Sequence, residues 1–253
     1  MSAVQLFLKE TGETYRFGLQ FFKELLKPPF EYREFFRQCF ILGNKSIFLV
    51  SITGFIMGVV LTLQTRPTMV EFGAEAYMPS MIGIAIVREI GPMITALICA
   101  GKIGSSIGAE LGSMRVTEQI DAMEVSGTNP YKYLVVTRIL AITLMLPLLV
   151  VVADAVSLFG SYLMESVKGQ VSFTLYFSKV FEVLEFGDII PSFAKCFFFG
   201  FAIGLVGCYK GYHSKRGTAG VGRAANSAVV IASLLLFVLD FIAVLITDIF
   251  YEL

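Results

Sequence analysis

Two adjacent charged residues, Arg88 and Glu89, lie inside the apolar stretch GIAIVREIGPMITALICAG. A charge at the centre of a bilayer costs about 2.5–3.5 kcal/mol on insertion scales, so it is expected to face a cavity or a partner. Because adjacent helix residues point about 100° apart, these two do not pair with each other. We therefore expect at least one of them to point into an internal cavity or towards another helix. The alternative is a structural ion pair with Asp154, Asp240 or a second protomer.

Nothing in the sequence surrounds this pair with the residues that catalysis or metal binding needs. His213 is the one histidine, and the four cysteines form no CxxC pair, so neither a zinc site nor a disulfide framework is predicted. The stretch AGKIGSS, residues 100–106, is not a phosphate-binding loop, because Ala96 stands where that loop needs a glycine. No GxSxG hydrolase motif is present. We expect no catalytic residue, no metal and no cofactor in this chain.

A second polar segment, GAELGSMRVTEQIDAMEVSGTNP at residues 108–130, carries four carboxylates and one arginine between positions 110 and 124. Helical spacing over about 105–127, here called the acidic segment, places a polar stripe on one face: Glu110, Thr117, Asp121 and Glu124. Val116, Ile120 and Met123 lie on another stripe. Gly127 and Pro130 are expected to end the helix. Anionic lipid would repel the acidic stripe, which favours a protein partner.

The elements that position these residues are predicted to be membrane-spanning helices. Of 253 residues, 56% are hydrophobic and only 16% are charged, a composition too apolar for an ordinary soluble domain. A crossing needs about 20 mostly apolar residues, and five stretches meet that requirement: 46–65, 79–100, 134–163, 189–208 and 226–250. The fold class is therefore an all-α integral membrane protein. The net charge of zero and the absence of a basic patch give no sign of nucleic-acid binding.

Lysine and arginine in the loops predict the orientation, because positively charged flanks are retained in the cytoplasm. Residues 1–45, 101–133 and 209–225 together hold fourteen, whereas the opposite side has only Arg66, Lys168 and Lys179. The N-terminus is therefore expected in the cytoplasm and the C-terminus on the outer side.

Residues 1–27 are expected to form an amphipathic helix on the cytoplasmic leaflet. An apolar stripe runs along it with basic residues at its edge: Leu8, Tyr15, Leu19, Phe22 and Leu26, with Lys9, Arg16, Lys23 and Lys27. A soluble helix packed on a partner is the alternative. This interpretation divides the chain into a cytoplasmic interfacial region, 1–45, and a five-span domain, 46–253. Small residues at four-residue spacing, such as Gly54 with Gly58 and Gly200 with Gly204, predict close helix packing.

The stretch REIGPMITALICAGKIGSSIGAELGSMRVTEQIDAMEVSGTNPYKYLVVTRILA, residues 88–141, resembles the signature region of the MlaE-type permeases. These are the membrane subunits of ABC systems that work with MCE proteins in bacterial lipid transport. Lys102, Asn129 and Thr137 stand where members of the family often have Arg, Asp and Pro. The resemblance implies a homodimer in the bacterial inner membrane, with five spans per protomer. It also implies two cytosolic ATPase subunits that bind ATP and a periplasmic MCE-protein ring on the outer face.

The resemblance also implies roles for individual residues. The acidic segment corresponds to the coupling helix, which enters a groove in the ATPase and carries these candidate contacts: Glu110, Arg115, Thr117, Glu118, Asp121 and Glu124. Arg88 and Glu89 correspond to the charged pair that lines the phospholipid pocket. Candidate wall residues lie near the outward ends of the first two spans: Leu61, Gln64, Met78 and Ile82.

The predicted function is that of a permease subunit moving phospholipid between the inner membrane and a periplasmic MCE protein, with ATP hydrolysis in a separate chain. One alternative is a self-contained ion-coupled transporter that uses Arg88, Glu89, Asp154 and Asp240 as a relay. The other is a structural membrane anchor for a periplasmic complex, which would need no cavity.

Overall fold

The computed structural model describes residues 3–215 and 217–251, and helices are the only regular secondary structure in those ranges. Five helical stretches are long and apolar enough to cross a membrane: Tyr32–Glu71, Glu75–Val116, Tyr131–Gly169, Phe186–Tyr212 and Thr218–Ile249. Each coincides with one of the five apolar stretches in the sequence, and the fifth stretch, 226–250, runs one residue past Ile249. The predicted all-α fold with five spans is confirmed.

The helices extend well beyond the apolar stretches that predicted them. Helix α1 is Ala3–Leu25 and α2 is Tyr32–Glu71, whose 40 residues include the 20 of the first apolar stretch. Hydropathy detects only the part of a helix that lies in hydrocarbon, since the flanking turns can continue with polar side chains.

The second span is interrupted by two π-helical segments, Ile86–Ile90 and Ala100–Gly104. These segments separate α3 (Met78–Ala85), α4 (Gly91–Cys99) and α5 (Ser105–Val116), and a short 3₁₀ turn, Glu75–Tyr77, precedes α3. Single π turns within α-helices are rare and frequently occur at functional sites. Arg88 and Glu89 both lie in the first of them.

The remaining helices follow in chain order: α6 (Gln119–Val125), α7 (Thr137–Gly169), α8 (Phe173–Val183), α9 (Phe186–Tyr212) and α10 (Thr218–Tyr251). A third π segment, Tyr131–Val136, leads into α7. The connection between the third and fourth spans, which the count of lysine and arginine treated as a loop, contains α8 with Ser172 as its N-cap. Tyr176 and Val180 lie four residues apart and are both buried, so packing of one helical face explains α8.

The chain divides into two compact units, each drawn from several spans. Unit 1 comprises Met1–Leu42, Cys99–Met145 and Phe199–Phe237. Unit 2 comprises Gly43–Ile98, Leu146–Phe198 and Val238–Leu253.

In unit 1, helix α1 packs against its own chain through one face. Phe17 and Phe21 are buried, and the Tyr131 hydroxyl donates to the Phe17 carbonyl. The opposite face exposes the apolar stripe that the sequence predicted, namely Tyr15, Leu19 and Phe22, and Leu26, which directly follows the helix, is exposed as well. The side chain of Leu8 lies outside the described part of the chain. Helix α1 therefore has one apolar face packed within the unit and another that is open to a surrounding medium.

The small residues form close helix contacts within the protomer. A Cβ added at Gly200 in unit 1 would lie 2.8 Å from the Ile142 carbonyl oxygen. A Cβ added at Gly58 in unit 2 would lie 1.8 Å from the Ser157 carbonyl oxygen. Any side chain at these positions would force the two helix backbones apart, because heavy atoms do not approach so closely.

The core of unit 2 joins α3 to α8 and includes Met78, Ile82 and Tyr176, all buried. The Tyr176 hydroxyl donates to Ser161 Oγ at 2.7 Å, and Ser161 also lies 2.7 Å from Thr62 Oγ1. Burial raises the pKa of Tyr176 to about 12, so this phenol stays neutral at physiological pH and holds its hydrogen bond.

Candidate functional site

A polar cavity of about 380 Å³ lies in unit 2. Arg88 and Glu89 line it from the first π segment, residues 187–195 contribute from the start of α9, and residues 243–248 contribute from α10. Both members of the charged pair therefore face one cavity, as at least one was expected to. Pro191, Ala243 and Val244 supply apolar wall beside the charged groups. A cavity with a charged end and apolar walls suits an amphipathic ligand.

Lys195 organises the charges of this polar cavity. Its side chain is only 7% exposed, and its Nζ donates to Glu89 Oε2 at 2.6 Å and to Asp240 Oδ1 at 3.0 Å. A buried ammonium retains its charge most easily when carboxylates surround it, because they replace the lost solvation. The alternative of a structural ion pair named Asp154, Asp240 or a second protomer as the partner, whereas within this chain Glu89 pairs with Lys195, which also binds Asp240.

Arg88 remains more accessible than Lys195. Its Nε lies 3.6 Å from Asp188 Oδ1, and its side chain is 47% exposed. The π segment that carries it is held by Ser192, whose hydroxyl donates to the Val87 carbonyl at 2.6 Å. A half-exposed guanidinium at a cavity wall can bind a phosphate through paired hydrogen bonds.

The sequence interpretation missed Lys195 as a site residue, although a signal for it was present. A lone lysine within an apolar span must find counter-charges, and Glu89 and Asp240 are acids in two other spans. The spacing of residues along the chain could not pair them, because Glu89 and Asp240 are 106 and 45 positions from Lys195.

Asp154 does not join the network of Lys195. Its Oδ1 is buried with no hydrogen-bond partner among the described residues, and it lies against Gly91, where an added Cβ would be 1.7 Å away. A proton relay needs a continuous chain of hydrogen bonds. The geometry of Asp154 therefore gives no support to a relay through Arg88, Glu89, Asp154 and Asp240.

The four candidate wall residues do not line the polar cavity. Met78 and Ile82 are 0% and 4% exposed in the core of unit 2, and Leu61 packs against that core. Gln64 is exposed. They were chosen by their depth along a span, but which face of the helix a residue occupies decides whether it meets a cavity.

The acidic segment is two helices instead of the single helix expected over about 105–127. Helix α5 ends at Val116 and α6 begins at Gln119, with Glu118 in the left-handed region at φ 58°. At the break the Thr117 hydroxyl donates to the Ser113 carbonyl at 2.9 Å, a local bond that competes with regular helix. An ion pair between Arg115 and Asp121 links the two helices. The prediction of a single polar stripe from Glu110 to Glu124 is therefore wrong.

Helix α6 ends where the sequence predicted. Gly127 has φ 79°, its N–H donates to the Glu124 carbonyl at 3.0 Å, and the Thr128 N–H donates to the Met123 carbonyl at 3.0 Å. This is the Schellman arrangement, which favours glycine because of its positive φ. Ile120 is fully buried, whereas Asp121, Glu124 and Val125 are exposed on α6.

Glu110 belongs to a different contact. It accepts a hydrogen bond from Arg138 Nη2 at 2.8 Å, and the Arg138 side chain is 1% exposed. Arg138 also donates to the Leu134 carbonyl at 3.0 Å, while its buried Nε has no hydrogen-bond partner among the described residues. This ion pair joins α5 to the start of α7 within unit 1.

Comparison of the sequence with known proteins relates this chain to permeases. The family described as Permease MlaE matches residues 35–246. A protein of Rickettsia prowazekii named probable ABC transporter permease protein RP096 is 37% identical over 246 residues, which cover 97% of this chain and 94% of the relative. A probable ABC transporter permease protein of Synechocystis, slr1045, is 32% identical over 88% of this chain and 84% of its own. The Haemophilus influenzae protein named intermembrane phospholipid transport system permease protein MlaE is 31% identical over 90% of this chain and 88% of its own.

Proposed function

The chain belongs to the MlaE permease family of ABC transporter permeases, and we propose that it moves phospholipid between the bacterial inner membrane and a periplasmic MCE protein. The energy comes from a separate cytosolic ATPase, which binds and hydrolyses ATP. The chain itself supplies the path for the lipid and the contact with that ATPase.

The observation that carries this proposal is the polar cavity with Arg88, Glu89 and Lys195 in an otherwise apolar part of the protein. A phospholipid needs a polar place for its headgroup and an apolar path for its acyl chains. The ion pair between Lys195 and Glu89 keeps the polar end stable before a lipid enters. The name of the Haemophilus influenzae relative supports the same substrate class.

The acidic segment supports the proposed contact with an ATPase. Asp121, Glu124 and Val125 form an exposed surface on α6, a short helix fixed at its break by Arg115. Acidic side chains around an exposed valine suit a basic groove with an apolar floor. Among the candidate contacts, Thr117 and Glu118 lie at the break itself.

The proposed assembly is a homodimer with two ATPase subunits on the cytoplasmic side and an MCE-protein ring on the periplasmic side. The distribution of lysine and arginine supports a cytoplasmic N-terminus and a periplasmic C-terminus. Exposed apolar side chains along α10, such as Leu234 and Phe241, leave that helix available to lipid or to the second protomer.

Photo-crosslinking in native membranes tests the substrate directly. A photoreactive residue at Val244, which lines the polar cavity, is compared with one at Leu245 on the same helix. The two side chains are 44% and 47% exposed, so general contact with the bilayer is matched. We expect phospholipid capture at Val244 to exceed capture at Leu245, and equal capture at the two positions would contradict the proposed lipid path.

Removal of the ATPase separates the proposal from its rivals. Lipid transfer by the reconstituted permease should require a co-purified ATPase, whereas transfer that persists without any ATPase would favour an ion-coupled transporter. Replacement of Arg88 and Glu89 by Leu should preserve insertion, because no span gains a charge, and should impair transfer, because the cavity then lacks two of the charged groups that would meet a headgroup. Normal function of that double variant would favour a structural anchor.

A further inference from the structure

The charges that line the polar cavity do not balance. Among the residues that the structure describes there, two cations, Arg88 and Lys195, face three carboxylates, Glu89, Asp188 and Asp248. Asp240, which binds Lys195 from α10, adds a further carboxylate to the same network. The cavity wall therefore carries an excess of negative charge before any ligand enters.

Lys195 is poorly accessible to a ligand anion. Its ammonium is nearly buried and already donates to both Glu89 and Asp240. Arg88 is the cation that a ligand phosphate can reach, because its guanidinium is half-exposed beside Asp188. One accessible cation suits one phosphodiester charge.

Asp248 is a carboxylate at this cavity that is not paired with Arg88 or Lys195. It is exposed, it lines the cavity, and the described residues include no cation within ion-pair distance of it. Glu89 is shared with Lys195 but remains 41% exposed. A ligand that carries a positive group in addition to its phosphate would supply the missing counter-charge.

We propose that the polar cavity prefers phospholipids whose headgroup carries an amine over phospholipids with a net negative headgroup, and that Asp248 sets this preference. The inference rests on the proposed function of the cavity as a phospholipid site. The phosphodiester lies towards Arg88 and the ammonium towards Asp248, with Glu89 adding to the attraction. A net negative headgroup brings an unmatched charge to a wall that is already negative. The cavity volume of about 380 Å³ is within the range of ~300–1,000 Å³ that small-molecule sites occupy.

The test uses the full chain with the photoreactive residue at Val244, reconstituted in vesicles of equal parts phosphatidylethanolamine and phosphatidylglycerol with identical acyl chains. We expect phosphatidylethanolamine to be captured roughly five-fold more than phosphatidylglycerol, the effect of one partly solvated charge pair. Asp248→Asn keeps the size of the side chain and removes its charge, so the ratio should fall towards one. Glu182→Gln removes a carboxylate from α8 outside the cavity and should leave the ratio unchanged.

The outcomes distinguish this inference from the proposal on which it rests. Capture of neither lipid above the Leu245 control would refute the cavity as a lipid site. Equal capture of the two lipids, above that control, would leave the lipid site standing and overturn the headgroup preference. A preference that Asp248→Asn does not change would overturn the role of Asp248. Phosphatidylcholine carries the same charges without ammonium hydrogens, so capture similar to that of phosphatidylethanolamine would support selection by charge.

Discussion

The ion pair between Glu110 and Arg138 predicts that its two residues are unequal in their importance for stability. Arg138 is 1% exposed, whereas Glu110 is 50% exposed. The perturbation is to remove each partner in turn, as Glu110→Ala and as Arg138→Met, and then both together. Methionine fills much of the volume of arginine without its charge.

The expected magnitudes follow from what each variant leaves behind. Glu110→Ala leaves a buried guanidinium whose remaining hydrogen-bond acceptor, among the described residues, is the Leu134 carbonyl. Breaking a buried pair in this way costs about 3–5 kcal/mol. Because the Glu110 carboxylate is half-exposed, water partly screens this pair. We therefore expect Glu110→Ala to lower the free energy of unfolding by about 2–3 kcal/mol. Arg138→Met leaves a carboxylate that water can solvate and removes a desolvated charge, so we expect a loss below about 1 kcal/mol.

Thermal unfolding in detergent, followed by the reaction of buried thiols with a fluorogenic dye, measures these differences. Cys99 and Cys208 are both fully buried in unit 1, the unit that contains the ion pair. Glu110→Ala should expose them several degrees below the wild-type temperature, and Arg138→Met should not. The double variant should resemble Arg138→Met, because no buried charge remains unpaired in it. Equal destabilisation by the two single variants would refute the reasoning from burial.

Three further predictions concern the cavity, a helix contact and the acidic segment. Lys195→Met should insert normally but reduce lipid transfer at least several-fold, because two carboxylates in the cavity network then lack their cation; normal transfer in vesicles would contradict this. Gly58→Val should lower thermal stability, since even a Cβ there would lie 1.8 Å from a carbonyl oxygen of α7. The control Gly101→Ala adds a methyl group at a position where no neighbouring atom lies within 4 Å, and it should match wild type in the same assay. Lysine in place of both Asp121 and Glu124 should reduce ATPase recovery in pull-downs, and wild-type recovery itself should fall with added salt; undiminished recovery by the variant would mean that these carboxylates face solvent only.

The five spans could be predicted from the sequence because the bilayer imposes a simple local requirement. Each needs about 20 apolar residues in a row, and no tertiary information enters that rule. The end of α6 shortly before Gly127 was also predictable, since a left-handed residue after a helix favours glycine. Both predictions depend on residues that are close together in the chain.

The break in the acidic segment was harder to predict from the sequence. The pattern VTEQID suits a continuous helix, and the left-handed residue is Glu118 in place of a glycine. Contacts made elsewhere in the chain override helix propensity in such a case. Ile120 is fully buried by packing of α6 in unit 1, and Arg115 holds Asp121 across the break. Those contacts set the direction of α6, and with it the position of any partner.

The polar cavity, too, depends on contacts between residues that are far apart in the chain, and these contacts have a consequence for transport. The sequence indicates that Glu89, Lys195 and Asp240 each need a counter-charge, but only the fold pairs them. Once they are paired, an arriving headgroup has to satisfy only the groups that remain accessible, chiefly Arg88 and Asp248. A lipid held by a few partly solvated charges is bound weakly. In the proposed transport cycle this favours release, because a permease site must be attractive enough for the lipid to enter and weak enough for it to leave.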